Sequence, residues 1–221
     1  VWNSDLYLQN VEIGYNEASH GGGGLAIYDS DIEISNTLIE NNVSSLFGGG
    51  MYVWNSDLYL QNVEIGYNEA RYGGGVYLRG PFSLNNSYAI FEDNIHIHDN
   101  TAYRNGGGMY VENVGLEMTD FNISDNIMEY KEGEAKEHCG NGGGGIYADI
   151  YDMDFRLSYG NLTNNEAIGQ GGGLWIKPNW EQPTTCQMHK VTIDTNKVFM
   201  TGSESEFCML GEGGGVYIEH G

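Results

Sequence analysis

VWNSDLYLQNVEIGYNEA, residues 1–18, returns without a change as residues 53–70, and this recurrence decides how the rest of the chain is read. Between the copies lies a looser version, SDIEISNTLIENN at residues 30–42, displaced by 26 from the matching part of the first copy. The period is therefore about 26 residues, and the identical segments stand two units apart. Glycine runs punctuate it at 21–24, 48–50, 73–75, 106–108, 142–145, 171–173 and 213–215.

Aligned on the glycine runs, the units fall into columns. The residue after each run and the one two positions later form apolar pairs: Leu25/Ile27, Met51/Val53, Val76/Leu78, Met109/Val111, Ile146/Ala148, Leu174/Ile176 and Val216/Ile218. A second pair reads Leu6/Leu8, Ile32/Ile34, Leu58/Leu60, Phe82/Leu84, Leu116/Met118, Phe155/Leu157 and Cys186/Met188. A third runs from Val11/Ile13 through Ile95/Ile97 to Val191/Ile193. Alternation with a period of two marks strands with one buried face, and no column has helical spacing. Three short strands per unit, each followed by a bend, describe one coil of a three-sided solenoid. The expected fold is all-β, a right-handed parallel β-helix of about seven to eight coils, forming a single domain over residues 1–221.

Three residues after the third pair, every complete unit carries asparagine: Asn16, Asn42, Asn68, Asn100, Asn126, Asn165 and Asn196. Stacked at one position of successive coils, such amides donate to and accept from one another as a ladder. Asparagine also tolerates the left-handed backbone that a bend requires. A looser column of Asn10, Asn36, Asn62 and Asn94 ends in Asp120, Tyr159 and Lys190. The glycine runs fit a tight corner; no Gly-Lys-Ser/Thr sequence follows them, so they do not read as a phosphate loop.

Gly-Gly-Gly-apolar-Tyr followed by Ile-x-x-Asn resembles the repeats of chlamydial polymorphic outer-membrane proteins, within the pectin-lyase-like class of right-handed β-helices. The resemblance covers the chain through short motifs. It implies an extracellular or cell-surface passenger or adhesin-like stalk.

Composition narrows the function further. Nine lysines and arginines against 31 acidic residues leave a formal charge of −22. So acidic a chain lacks the cations that displace counterions from nucleic acid or bind anionic lipid. No apolar stretch approaches the ~20 residues of a membrane-spanning helix. No nucleic-acid partner, no membrane insertion and no cofactor are expected; weak calcium binding by the acidic surface is compatible with the charge. Nor is a terminal cap legible in the first or last unit, which predicts continuation in a longer chain or end-to-end self-association into a fibre.

Departures from the basic coil are expected near residues 86–93, 128–141, 177–185 and 199–212. Cys139 and Cys208 fall in equivalent corners two coils apart and form a disulfide candidate; Cys186 occupies an inward column as a small buried apolar residue. The outward residues of the first strand, Tyr52, Tyr77, Tyr110, Tyr147, Trp175 and Tyr217, read as an exposed aromatic stripe. Such a stripe either contacts sugar rings or a neighbouring fibre, or stacks on itself and stabilises the coil. Glycosylation candidates are Asn85, Asn122 and Asn161, whereas the sequon at Asn42 falls in the internal ladder.

Catalytic chemistry finds little support. The nine lysines and arginines scatter over different columns, and Asp152 with Asp154 is the nearest approach to a carboxylate pair. His96 and His98 share an outward face, a spacing that permits metal binding but reads more simply as two solvated histidines, so no metal site is assigned. The expected role is structural, a β-helical rod, with a carbohydrate-binding adhesin and then a polysaccharide-acting enzyme as alternatives.

Overall fold

A computed structural model describes residues 1–81, 87–130, 142–150, 153–178, 185–199 and 213–218. All described strands belong to three parallel sheets that wind around one apolar interior. The first sheet collects the seven strands that follow the glycine runs, from Leu25–Tyr28 to Val216–Ile218. The second is the long sheet, nine strands from Leu6–Gln9 to Thr185–Asp194. A third sheet of seven short strands runs from Glu17–Ala18 to Lys197–Phe199. Each strand pairs with its equivalent one coil away, so a unit of sequence becomes one rung of a three-sided solenoid.

The alternating pairs point inward. Ile27, Ile34, Ile39, Leu60, Ile65 and Phe91 are fully buried, and their column mates extend one core along the axis. Burying each such side chain contributes about 1.5–3 kcal/mol, which drives the winding. Two boundaries differ from the sequence reading. The second and third pairs lie on one sheet, because the bend between them is a single left-handed residue (Asn36 at φ 48°, Asn62 at 51°) inside an otherwise continuous ladder. The third side is built instead by the short strands just after the buried asparagines.

The fourth coil carries the other correction. Ala89 and Phe91, not Phe82 and Leu84, lie opposite Leu58 and Leu60. The extra residues therefore enter at the corner before this strand; Phe82 and Leu84 lie outside the described residues. A further residue is absorbed at Asp93 and Asn94, which both have positive φ and together oppose Asn62. This is a β-bulge, one extra residue that bends the strand locally.

The glycine runs are needed for separate reasons at successive positions. Gly48 has φ 55°, and a Cβ there would lie 1.9 Å from the Met51 carbonyl oxygen. Gly49 is not left-handed, yet a Cβ would lie 2.3 Å from the Gly74 carbonyl oxygen of the next coil. One glycine makes the turn and the next lets the coils touch.

Candidate functional site

The seven ladder asparagines do form a continuous hydrogen-bonded stack. In each step the Oδ1 of one accepts from both the backbone N–H and the Nδ2 of its neighbour in the preceding coil, as Asn100 does from Asn68 at 3.0 Å in each case. The Nδ2 groups also donate to carbonyls of the preceding coil: Asn68 to Ile39, Asn100 to Ile65, Asn126 to Ile97. From Asn42 to Asn165 the column is buried. Its backbone is not left-handed; that conformation falls on the residue before, such as Asn41, Tyr67 or Asp99. Asn42 is fully buried, so the folded chain offers no access to its sequon.

The aromatic column of the first sheet is not an exposed stripe. Tyr52, Tyr77, Tyr147 and Trp175 are 1–6 % exposed, and Tyr110 and Tyr217 are half-buried. Two contacts bury them. The rings stack along the axis, with centroids 5.4 Å apart for Tyr52–Tyr77, 4.6 Å for Tyr77–Tyr110 and 4.1 Å for Tyr147–Trp175. Phe47, from the corner before a glycine run, stacks against both Tyr52 and Tyr77 from the side. Of the two readings of this column, mutual stacking describes it. The Tyr77 hydroxyl donates to Glu112, and burial, then this carboxylate, hold its pKa far above the ordinary tyrosine value.

Two surface features of the long sheet combine open space with chemistry. Tyr7, Tyr59 and Tyr88 line a groove of about 320 Å³ together with Glu33 and Asp57. The Tyr59 hydroxyl donates to Glu92, and that bond, ahead of burial, pushes its pKa up to about 12. At the neighbouring corner a polar groove of about 570 Å³ holds Asp5, Asp31 and Asp57 at one repeating position. Serines tie its coils together: the Ser4 N–H donates to Ser30 Oγ at 3.1 Å, and the Ser30 N–H to Ser56 Oγ at 3.0 Å.

Further along the same sheet the two histidines are not both solvated. His96 is half-buried and His98 buried; their ring centroids are 4.2 Å apart. Glu64 of the preceding coil stands opposite His96, with its Oε1 3.0 Å from His98 Nε2. On the other side of the ring, His98 Nδ1 lies 2.8 Å from Asp99 Oδ2. Gly66 leaves the hollow that the His98 ring occupies, since a Cβ there would approach it within 2.7 Å. Burial, and then the adjacent His98, hold the His96 pKa below the ordinary histidine value. The alignment could have found Glu64: pairing Val63/Ile65 with Ile95/Ile97 sets it beside His96.

The remaining expected residues are dispersed. Asn122 and Asn161 are in register on adjacent coils, half-buried and exposed respectively. Asp154 is ion-paired with Arg156 at 2.6 Å. Asn85, Cys139, Cys208 and Asp152 lie outside the described residues. Cys186 does sit in the inward register opposite Phe155, but it is exposed, because no described strand pairs with the far side of Thr185–Asp194. The apolar surroundings on its inner side still push its thiol pKa up to about 11. No described helix is long and apolar enough to cross a membrane.

No curated protein and no solved structure matches the chain. A family model described as a right-handed β-helix region matches residues 4–153, about two thirds of the sequence. The match spans the coils that carry Asn16 to Asn126 of the ladder, the bulge and the histidine pair. The chain belongs to the right-handed β-helix family.

Proposed function

We propose that the chain is a segment of an extracellular structural rod, a building block of a surface fibre or stalk whose task is mechanical. The observation that carries this reading is the unbroken amide ladder from Asn16 to Asn196, backed by the buried aromatic column. The recurrent residue types are thus spent on coil-to-coil cohesion along the axis. The acidic exterior keeps such a rod soluble and repels unspecific contacts. The similarity of its Gly-Gly-Gly-apolar-Tyr and Ile-x-x-Asn repeats to chlamydial surface proteins supports a place outside the cell, and Asn122 and Asn161 are then available for glycans. Further coils, in the same chain or in a neighbouring copy, extend the rod by the same parallel pairing. Uptake of calcium by the surface is weak and diffuse under this reading.

Single-molecule pulling along the axis tests it. Coils should release one at a time, each freeing 26 to 39 residues, or about 90–130 Å of extended chain. Collapse in one low-force event overturns the reading, as does turnover of any polysaccharide.

One observation favours carbohydrate binding as a second reading. Tyr7, Tyr59 and Tyr88 line one groove with the carboxylates Glu33 and Asp57, the combination of aromatic rings and hydrogen-bond acceptors that holds a sugar. A glycan array read with the wild type and Tyr88→Ala decides it: a ligand lost in the variant supports binding in the groove, and no ligand removes it.

A further inference from the structure

We propose that Glu64, His96 and His98 form a site for a divalent transition-metal ion of the zinc class, tying the third coil to the fourth. Their ligand atoms all lie within 4.8 Å of one another. Around a tetrahedral ion with bonds of ~2.0–2.2 Å, ligand atoms stand roughly 3.4 Å apart. Small side-chain rotations therefore close the set, and the Glu64–His98 pair is already at 3.0 Å.

The surroundings fit a bound cation in four respects. First, Asp99 engages His98 at Nδ1, which directs Nε2 toward Glu64; a carboxylate behind a ligating imidazole orients the ring and strengthens it as a donor. Tyr67 meets the same ring edge-on at 5.4 Å and Gly66 supplies its hollow, so the histidine is held in one orientation. Second, the donor set is chemically selective. Two imidazole nitrogens and one carboxylate oxygen suit zinc, copper or nickel, whereas calcium and magnesium prefer oxygen donors.

Third, the charged side chains that touch the histidine pair, Glu64 and Asp99, are both acidic. A divalent ion meets attraction there. Fourth, a groove of about 290 Å³ lined by Asn62, Asn94, Glu64 and His96 opens beside the cluster, leaving space for water or an outside ligand at a further coordination position. The placement also gives the ion a task. The β-bulge at Asp93–Asn94 interrupts the long strand just before the histidines, so the ion would clasp two coils next to a break in their pairing. This inference is independent of the rod reading, because it concerns the isolated chain.

Zinc titration of chelator-treated, purified chain tests it by calorimetry and by thermal unfolding. The expected result is one zinc per chain with a dissociation constant in the micromolar range or tighter, a raised unfolding temperature, and no displacement by millimolar calcium. Glu64→Gln and His96→Gln, both at exposed or half-buried positions, should each weaken binding at least tenfold with an unchanged circular dichroism spectrum. Asp99→Asn should weaken it by roughly 10–100-fold through the orientation of His98. Absence of stoichiometric binding overturns the proposal, as does equal affinity in the doubly substituted E64Q/H96Q chain, which would assign the zinc to other histidines or cysteines.

Discussion

Two columns of asparagine share one spacing in this molecule, one along its length and one over the first four coils, and they do opposite work. Asn42, Asn68, Asn100 and Asn126 are buried, with backbone outside the left-handed region, and each amide is held by the neighbours above and below. Asn36, Asn62 and Asn94 are exposed and left-handed; their side chains also link, Asn94 to Asn62 at 2.8 Å and Asn62 to Asn36 at 2.7 Å, but in water. In the first column the side chain is what the position requires. In the second it is the backbone conformation. A hydrogen bond between exposed amides replaces one with water and nets little, whereas a buried amide without its partners loses the full cost of leaving water. The fourth coil sharpens the contrast: the step from Asn68 to Asn100 is 32 residues instead of 26, yet the buried bonds stay at 3.0 Å. Insertions are diverted to corners and to the bulge, and the buried ladder keeps its register.

The comparison can be broken most forcefully at its buried end. Asn100→Asp replaces a donor facing the Ile65 carbonyl with a charge in the interior, and a loss of about 4 kcal/mol or more, or failure to fold at neutral pH, is expected by denaturant titration. Asn68→Ala, which strands the partners of its amide without adding charge, should cost about 2–4 kcal/mol by the same measurement. A cost near zero would deny that the ladder holds the coils together.

The aromatic column provides an alkaline test of the buried class. Tyr77 and Tyr110 have pKa values raised above the ordinary 10.0, in both cases chiefly by burial and then by Glu112. The native state therefore keeps protons that the unfolded chain releases above pH 10. Their contribution is complete below that pH and declines above it, by about 1.4 kcal/mol per pH unit for each such group. Tyr110→Phe should shift the alkaline unfolding midpoint upward, read by fluorescence across pH 9–12.

At the exposed column the effects shrink. Asn62→Gly loses two solvated hydrogen bonds but relieves a φ of 51°, so its stability should stay within about 0.5 kcal/mol of wild type. Asp120 continues this column at φ 56°, and Asp120→Asn lets a new amide donate toward Asn94, a gain of about 0.5 kcal/mol in thermal unfolding. Equal costs at Asn62 and Asn68 would erase the distinction drawn between the columns.

Much of this was legible in the order of residues, and the parts that were not share a cause. The period, the inward pairs and the buried amide column could be read because each repeats, and repetition converts a local pattern into a position in space. The fourth coil misled because Phe82–x–Leu84 and Ala89–x–Phe91 alternate alike and each is followed by asparagine, Asn86 or Asn94; only pairing with Leu58 and Leu60 chooses between them. The aromatic column was assigned to the correct face but the wrong environment. Strand alternation says that Tyr77 points away from the core, and it carries no information that Phe47, thirty positions earlier, covers it.

What the amino-acid order determined alone was the coil: a two-residue alternation, a unit of about 26 residues and an amide at one place in each turn together specify parallel stacking. What the tertiary structure decided was everything that depends on two coils meeting side chain to side chain. That includes which aromatics are buried and how the side chains of Glu64 and His98 turn toward one another. Those contacts are set by a lateral spacing of about 4.8 Å between strands, a distance that joins residues 26 or 32 positions apart and that no local pattern encodes.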